Sequence, residues 1–170
     1  MPETPASIVD WAEETFGPAA SLLRLAGRAN TEMAELVRAV TSGEPTERIG
    51  EEAADVAIIL CRVAATLGTA SRFVSDTPVS SMPVLKATFH ANRTVADLLL
   101  EIGRPGGPDV VYAGALVSRA FLFLRGLCEA LGTALGERVD AKMQINRGRR
   151  WIVNGDGTGD HHHVRIEEAA

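Results

Sequence analysis

"ERIGEEAADVAIILCRVAATLG", residues 47–68, decides the fold class. Ile49, Ala53, Val56, Leu60, Val63 and Leu67 recur at spacings of 4, 3, 4, 3 and 4, which is one face of an α-helix, and Gly68 supplies a stop signal. An acid stands inside that apolar face. At 100° per residue, Glu51 falls on the wet side, Asp55 on the flank, and Glu52 within about 60° of the centre of the stripe. A carboxylate turned to a core is costly unless it is paired or bound to a cation, and no Lys or Arg is expected one turn away on that face.

The preceding segment, about 18–42, reads as a partner helix, with Leu22, Leu25, Ala26, Ala29, Met33, Leu36, Val37 and Val40 at helical spacing. Glu32 and Glu35 lie three apart beside that stripe, where they are neighbours. "TSGEPT" (41–46) breaks the two helices apart. A loop is expected at about 74–84, further helices at about 86–103 and 110–131 divided by "GRPGGPD", and a last helix at about 133–151. The tail is "NGDGTGDHHHVRIEEAA" (154–170), and the residues before about 18 read as a leader. No strand alternation is found. The expectation is a single all-α domain, a helical bundle with an acidic hairpin at 18–67, a helical insertion or degenerate repeat at 86–132, and a basic C-terminal helix and tail at 133–170.

The repeat reading comes from sliding the chain on itself. A slide of 62 lays "ANTEMAEL" (29–36) over "ANRTVADL" (91–98), and a slide of 64 lays "VAIILCRVAATLG" (56–68) over "AFLFLRGLCEALG" (120–132). The apolar rhythm survives while Glu32, Glu35, Glu52 and Asp55 fall opposite Thr94, Asp97, Leu116 and Arg119. Duplication and chance similarity of amphipathic helices both fit this.

A chain of 170 residues can bury a core without staples, and Cys61 and Cys128 sit in apolar helical patterns without ligand spacing, as in a cytoplasmic protein. The start "MPETPASIVDW" lacks the regions of a signal peptide, and the run "VAIILC" is cut by Arg62, so no membrane partner is expected. A net charge of −5 argues against binding a nucleic-acid polymer. "AFLFL" carries apolar side chains almost all round its helix, which points to a homodimer or homotetramer.

If the two acidic helices pair antiparallel, Glu32, Glu35, Glu52 and Asp55 converge. Four crowded carboxylates repel by roughly 4 kcal/mol per 4 Å pair at an effective dielectric near 20, so a cation is expected, and oxygen-only ligands select Mg²⁺ or Mn²⁺. A di-iron site would want Glu-x-x-His, and none of the four His lies in such a motif. His90 stands alone in a helical segment, and His161–His163 reads as a surface tail or a short metal-binding tract. The alternative for the acids is a set of solvated helix flanks on a non-catalytic nucleotide-binding or interaction module. In the last helix Leu135, Val139, Lys142, Asn146 and Arg149 share an inward face that turns from apolar to polar, expected to be wet without ligand and suited to anionic oxygens.

"EMAE" (32–35), "EAAD" (52–55) and "KMQINRGRRW" (142–151) together resemble the MazG-like all-α nucleoside triphosphate pyrophosphohydrolases, relatives of the dimeric dUTPases. "ETFGP" and "DGTGDHHHV" are similar to a bacterial and phage subset associated with purine deoxynucleotides. Thr31 stands where many members have an extra Glu, and about 70 residues separate the acidic hairpin from the basic helix. The resemblance implies an enzyme that cleaves a (d)NTP, such as dGTP or dATP, to the monophosphate and pyrophosphate. It implies Mg²⁺ on Glu32, Glu35, Glu52 and Asp55, water handled by the catalytic pair Glu32 and Glu35, and phosphates held by Lys142, Asn146 and Arg149. Trp11, Phe16 and Asn30 are candidates for the nucleoside, as stacking faces and an edge-reading amide, or else ordinary core packing with a polar cap.

Overall fold

The computed structural model describes residues 2–69 and 82–160. Among them are the helices α1 (Pro5–Phe16), α2 (Leu22–Thr41), α3 (Thr46–Leu67), α4 (Val84–Ile102), α5 (Val110–Ala130) and α6 (Leu135–Gly148). Two short strands, β1 (Ile152–Val153) and β2 (Gly159–Asp160), pair antiparallel with Ile152 opposite Asp160. The chain is an all-α bundle, as its periodicity requires. Most of the expected loop at 74–84 and the His161–His163 tract lie outside the described residues.

Helix α3 is the hub, packed against α1, α2, α5 and α6. Its sequence allows this because Ala53, Ala54, Ala57 and Ala64 are buried among Val56, Leu60 and Val63, so small side chains admit neighbours on several sides. Gly68 ends it in the left-handed region at φ 69°, the conformation its sequence position anticipates. Helix α4 packs on α2 and α5. Helix α5, with a mean hydropathy of 1.5, is long and apolar enough by length and composition to cross a membrane, so the most apolar long segment lies here rather than at 56–61. Within the bundle it buries Phe121, Leu124 and Leu127 and leaves Leu122 exposed.

Three sequence expectations need correction. The supposed leader is helix α1: Thr4 accepts from the Ser7 amide at 3.1 Å and donates its own amide to Ser7 Oγ at 2.9 Å, a capping box with Pro5 in the first turn. Its buried Ile8, Trp11, Ala12 and Phe16 were readable as a helical stripe. The last helix stops at Gly148, because Arg149 turns extended at ψ 150° and the Trp151 indole N–H donates to the Asn146 carbonyl at 2.9 Å. The tail then folds back as the β1–β2 hairpin, which no alternation of apolar residues announces.

Candidate functional site

A cavity of about 230 Å³ lies between α1, α2, α3, α6 and the β hairpin. Helix α3 runs along it: Arg48, Glu52, Asp55, Ile59 and Arg62 all line the space, and at 1.5 Å per residue Glu52 and Arg62 are about 15 Å apart along the axis. The acids therefore stand towards one end. Towards the other, Ile58, Ile59 and Arg62 meet Trp11 and Phe16 of α1 and Trp151 beyond α6.

At the acidic end, one carboxylate oxygen from each of Glu32, Glu52 and Asp55 lies within 4.8 Å of the others, which is a grouping that could hold a metal ion. Glu52 is 2% exposed and Glu32 7%, so the stripe position inferred for Glu52 is its actual environment. Glu35, half-buried, lines the same cavity without joining the tight group, so three of the four expected ligands come together. Burial pushes the Glu32 carboxyl up to about 7 against the pull of Arg28, with Asp55, Glu35 and Glu52 adding to the rise. Burial also raises Glu52 against the pull of Arg48, and Asp55 against that of Lys142.

Each acid of the group also has a base. Arg28 Nε lies 2.7 Å from Glu32, Lys142 Nζ 2.5 Å from Asp55, and Arg48 pairs with Glu52. The expectation that Glu52 has no base one turn away is thus wrong: Arg48 is four residues earlier, 40° round the helix, within reach of a long side chain. The signal was present as a recurring R-x-x-x-E at 28–32 and 48–52. The inward face of α6 is also drier than expected, with Lys142 and Asn146 buried at 6% and 5% exposure. Arg149 sits past the helix end, half-buried, its Nη1 donating to Asn146 Oδ1 at 3.4 Å.

At the aromatic end Trp11, Phe16 and Trp151 meet edge to face, with centroids 5.1 to 5.9 Å apart. Trp151 was part of the basic motif but was not read as a ring for this cluster. Asn30 is not among the described residues that line the cavity. The hairpin closes over the rings. Thr158 and Gly159 line the cavity, the Ala20 amide donates to the Asp156 carbonyl at 3.0 Å, and Arg24 pairs with Asp156. Only glycine permits this approach, since a Cβ at 159 would overlap the Phe16 ring and one at 157, where φ is +77°, the Pro18 carbonyl.

No known protein family, no curated protein and no solved structure matches the chain. The chemistry of the cavity must stand on its own residues. A donor set of carboxylate oxygens alone fits a hard divalent cation, and the raised carboxyls are what a cation would relieve. Lys142 and Arg149 line the same space, so an anion could be met by a metal and by fixed cations together.

Proposed function

We propose that the chain is a Mg²⁺-dependent nucleoside triphosphate pyrophosphohydrolase of the MazG-like kind, with a purine (d)NTP such as dGTP or dATP as substrate and Mn²⁺ as a substitute metal. The observation that carries this is the carboxylate group of Glu32, Glu52 and Asp55 in one cavity with Lys142 and Arg149, about two helical turns from an aromatic cluster. A triphosphate needs the first two features, and a base needs the third.

In this reading Lys142, Asn146 and Arg149 hold the phosphate oxygens, the two cations neutralising them and the Asn146 side-chain carbonyl also orienting Arg149. Water attacks the α-phosphorus: a P–O bond forms, the bond to the bridging oxygen breaks, and pyrophosphate leaves with the electron pair. Glu32 and Glu35 orient that water and take its proton. A Mg²⁺ ion held by the acids would supply neutralisation of the phosphates and a lowered pKa for the water. The reading includes assembly as a homodimer or homotetramer, in which a second copy would cover the exposed Phe89 and Leu100 of α4 and Val111 and Leu122 of α5.

The second reading, a non-catalytic nucleotide-binding or interaction module, draws on the three ion pairs, because acids already matched by Arg28, Arg48 and Lys142 do not require a metal. One assay separates the two. The full chain is incubated with eight NTPs and dNTPs, with Mg²⁺ or excess EDTA, and the products are resolved by chromatography. The expected result is monophosphate and pyrophosphate, released only with the metal. Diphosphate as main product, full activity in EDTA, or no turnover of any nucleotide overturns the proposal.

A further inference from the structure

With Arg28 and Arg48 paired to the acids, phosphate chemistry leaves Arg62 as the charged lining residue that has no part in it. Arg62 lies seven residues beyond Asp55 on the same face of α3, about 10 Å along the axis, among the rings rather than the acids. It is 5% exposed. Its Nη2 donates to the Gly17 carbonyl at 3.4 Å, and its guanidinium carbon lies 5.9 Å from the centre of the Phe16 ring. No other hydrogen bond from the guanidinium is found among the described residues, yet no buried side-chain nitrogen there lacks a partner, so its remaining N–H groups have access to open space. That space is the main cavity or the smaller one of about 90 Å³ on its other side, towards Glu13. Arg62 is the wall between them.

Arginine carries five N–H donors and no acceptor, and here most of them have no protein acceptor. We propose that Arg62 is a specificity-determining residue that reads the base, donating to two adjacent acceptors on its edge and so selecting a 6-oxopurine over a 6-aminopurine. This rests on the nucleotide reading of the cavity. With phosphates at Asp55 and Lys142, a base reaches the level of Ile59 and Arg62 and lies among Trp11, Phe16 and Trp151. A 6-oxopurine presents O6 and N7, both acceptors, to a planar fork of donors. Adenine replaces O6 with an amino donor, whose hydrogens would face those of the guanidinium. Uracil's two carbonyl oxygens are separated by the N3–H donor, so neither has an acceptor beside it.

The test needs no turnover. Trp11 and Trp151 are the chain's two tryptophans and both line this end, so intrinsic fluorescence reports occupancy. The full chain in EDTA is titrated with GMP, IMP, AMP and UMP. GMP and IMP are expected to bind at least about tenfold more tightly than AMP, the scale of a good bidentate base contact. IMP lacks the 2-amino group, so its parity with GMP assigns the preference to the O6 and N7 edge. Arg62→Met should remove the preference by weakening GMP and IMP more than AMP, and Arg62→Lys, which keeps the charge without the fork, should do the same if the methionine variant fails to fold. Equal binding of all four by the wild type, UMP as tight as IMP, or a preference that survives in the lysine variant would overturn the assignment. Equal weakening of all four nucleotides would overturn it too, because it would mark a role in holding Gly17 and Phe16. Base selectivity without pyrophosphate release from any triphosphate removes the pyrophosphohydrolase reading and keeps Arg62 as a base reader; pyrophosphate release without selectivity does the reverse.

Discussion

The hairpin of α2 and α3 and the hairpin of α4 and α5 are built to nearly the same length, 20 and 22 residues against 19 and 21. They bury different things. In the register that lays 29–36 over 91–98, buried Glu32 corresponds to Thr94, whose hydroxyl turns back to the His90 carbonyl at 2.8 Å. In the register that lays 56–68 over 120–132, Glu52 corresponds to buried Leu116, and Asp55 to Arg119, which is exposed. The second hairpin resolves each position as packing or as solvated surface. The first keeps three carboxyls in the interior, each raised by burial and each held by a base. Groups shifted in this way cluster at functional sites, and the variants below test whether these do.

Glu52→Gln against Leu116→Ala breaks the comparison most sharply. If the first hairpin is a metal site, Glu52→Gln lowers pyrophosphate release at least about 100-fold and abolishes the Mg²⁺-induced rise in melting temperature. The metal-free melting temperature holds or rises, since a raised carboxyl is removed while Arg48 retains Glu51 at 3.0 Å. Leu116→Ala does the opposite: urea denaturation should show a loss of about 2–5 kcal/mol, with the Mg²⁺ response intact. Loss of the metal response in both variants, or in neither, would mean that the hairpins are not specialised.

Titration gives a smaller effect of the same kind. The folded Glu32 carboxyl, pushed up to about 7 from 4.5, holds its proton more tightly than the unfolded one. Its contribution is therefore fully present below about pH 4.5 and is lost as the pH rises through about 7, for a total of about 3 kcal/mol. Glu52 and Asp55, raised by burial, add in the same direction. In EDTA the chain should be more stable near pH 5 than near pH 8, and Glu32→Gln should flatten that slope. Mg²⁺ should restore stability at pH 8, where the carboxylates are charged. A metal-free stability that climbs from pH 5 to 8 would show the ion pairs outweighing burial.

Period and punctuation made most of this bundle legible. Helices α2 to α5 follow from apolar spacing, and the buried place of Glu52 follows from its angle on α3. Tertiary pairing was harder to read. Arg48 and Arg28 look like solvated flank residues until a long side chain is allowed to curl over the helix to Glu52 and Glu32. Helix α1 was hidden by its short length and by Thr4-Pro5, which resembles a loop as readily as a capped start. The tail hairpin depends on glycines that let residues 157 and 159 approach Pro18 and Phe16, and such contacts between distant segments leave no local period. Arg62 interrupts an apolar run of the sequence, and that interruption is what puts a cation beside the rings, a pairing between α3 and α1 that no local period announces.

The smallest expected effect lies at Asp97, the counterpart of Glu35. Both are carboxylates on the third residue after a buried position, Thr94 in one hairpin and Glu32 in the other. Their surroundings differ. The Asp97 side chain is 45% exposed and lies 3.9 Å from Arg93, itself 74% exposed, whereas Glu35 lines the cavity. An exposed pair at that distance is worth less than about 0.5 kcal/mol and is screened by salt. Asp97→Asn should therefore leave melting temperature, Mg²⁺ response and turnover within error of wild type. Glu35→Gln, the same loss of charge at the matching register, should lower turnover because its carboxylate lines the cavity with Glu32, Glu52 and Asp55 and adds to the rise at Glu32. If the two variants behave alike, sequence register rather than cavity position governs these acids, and the functional distinction between the hairpins fails at its edge.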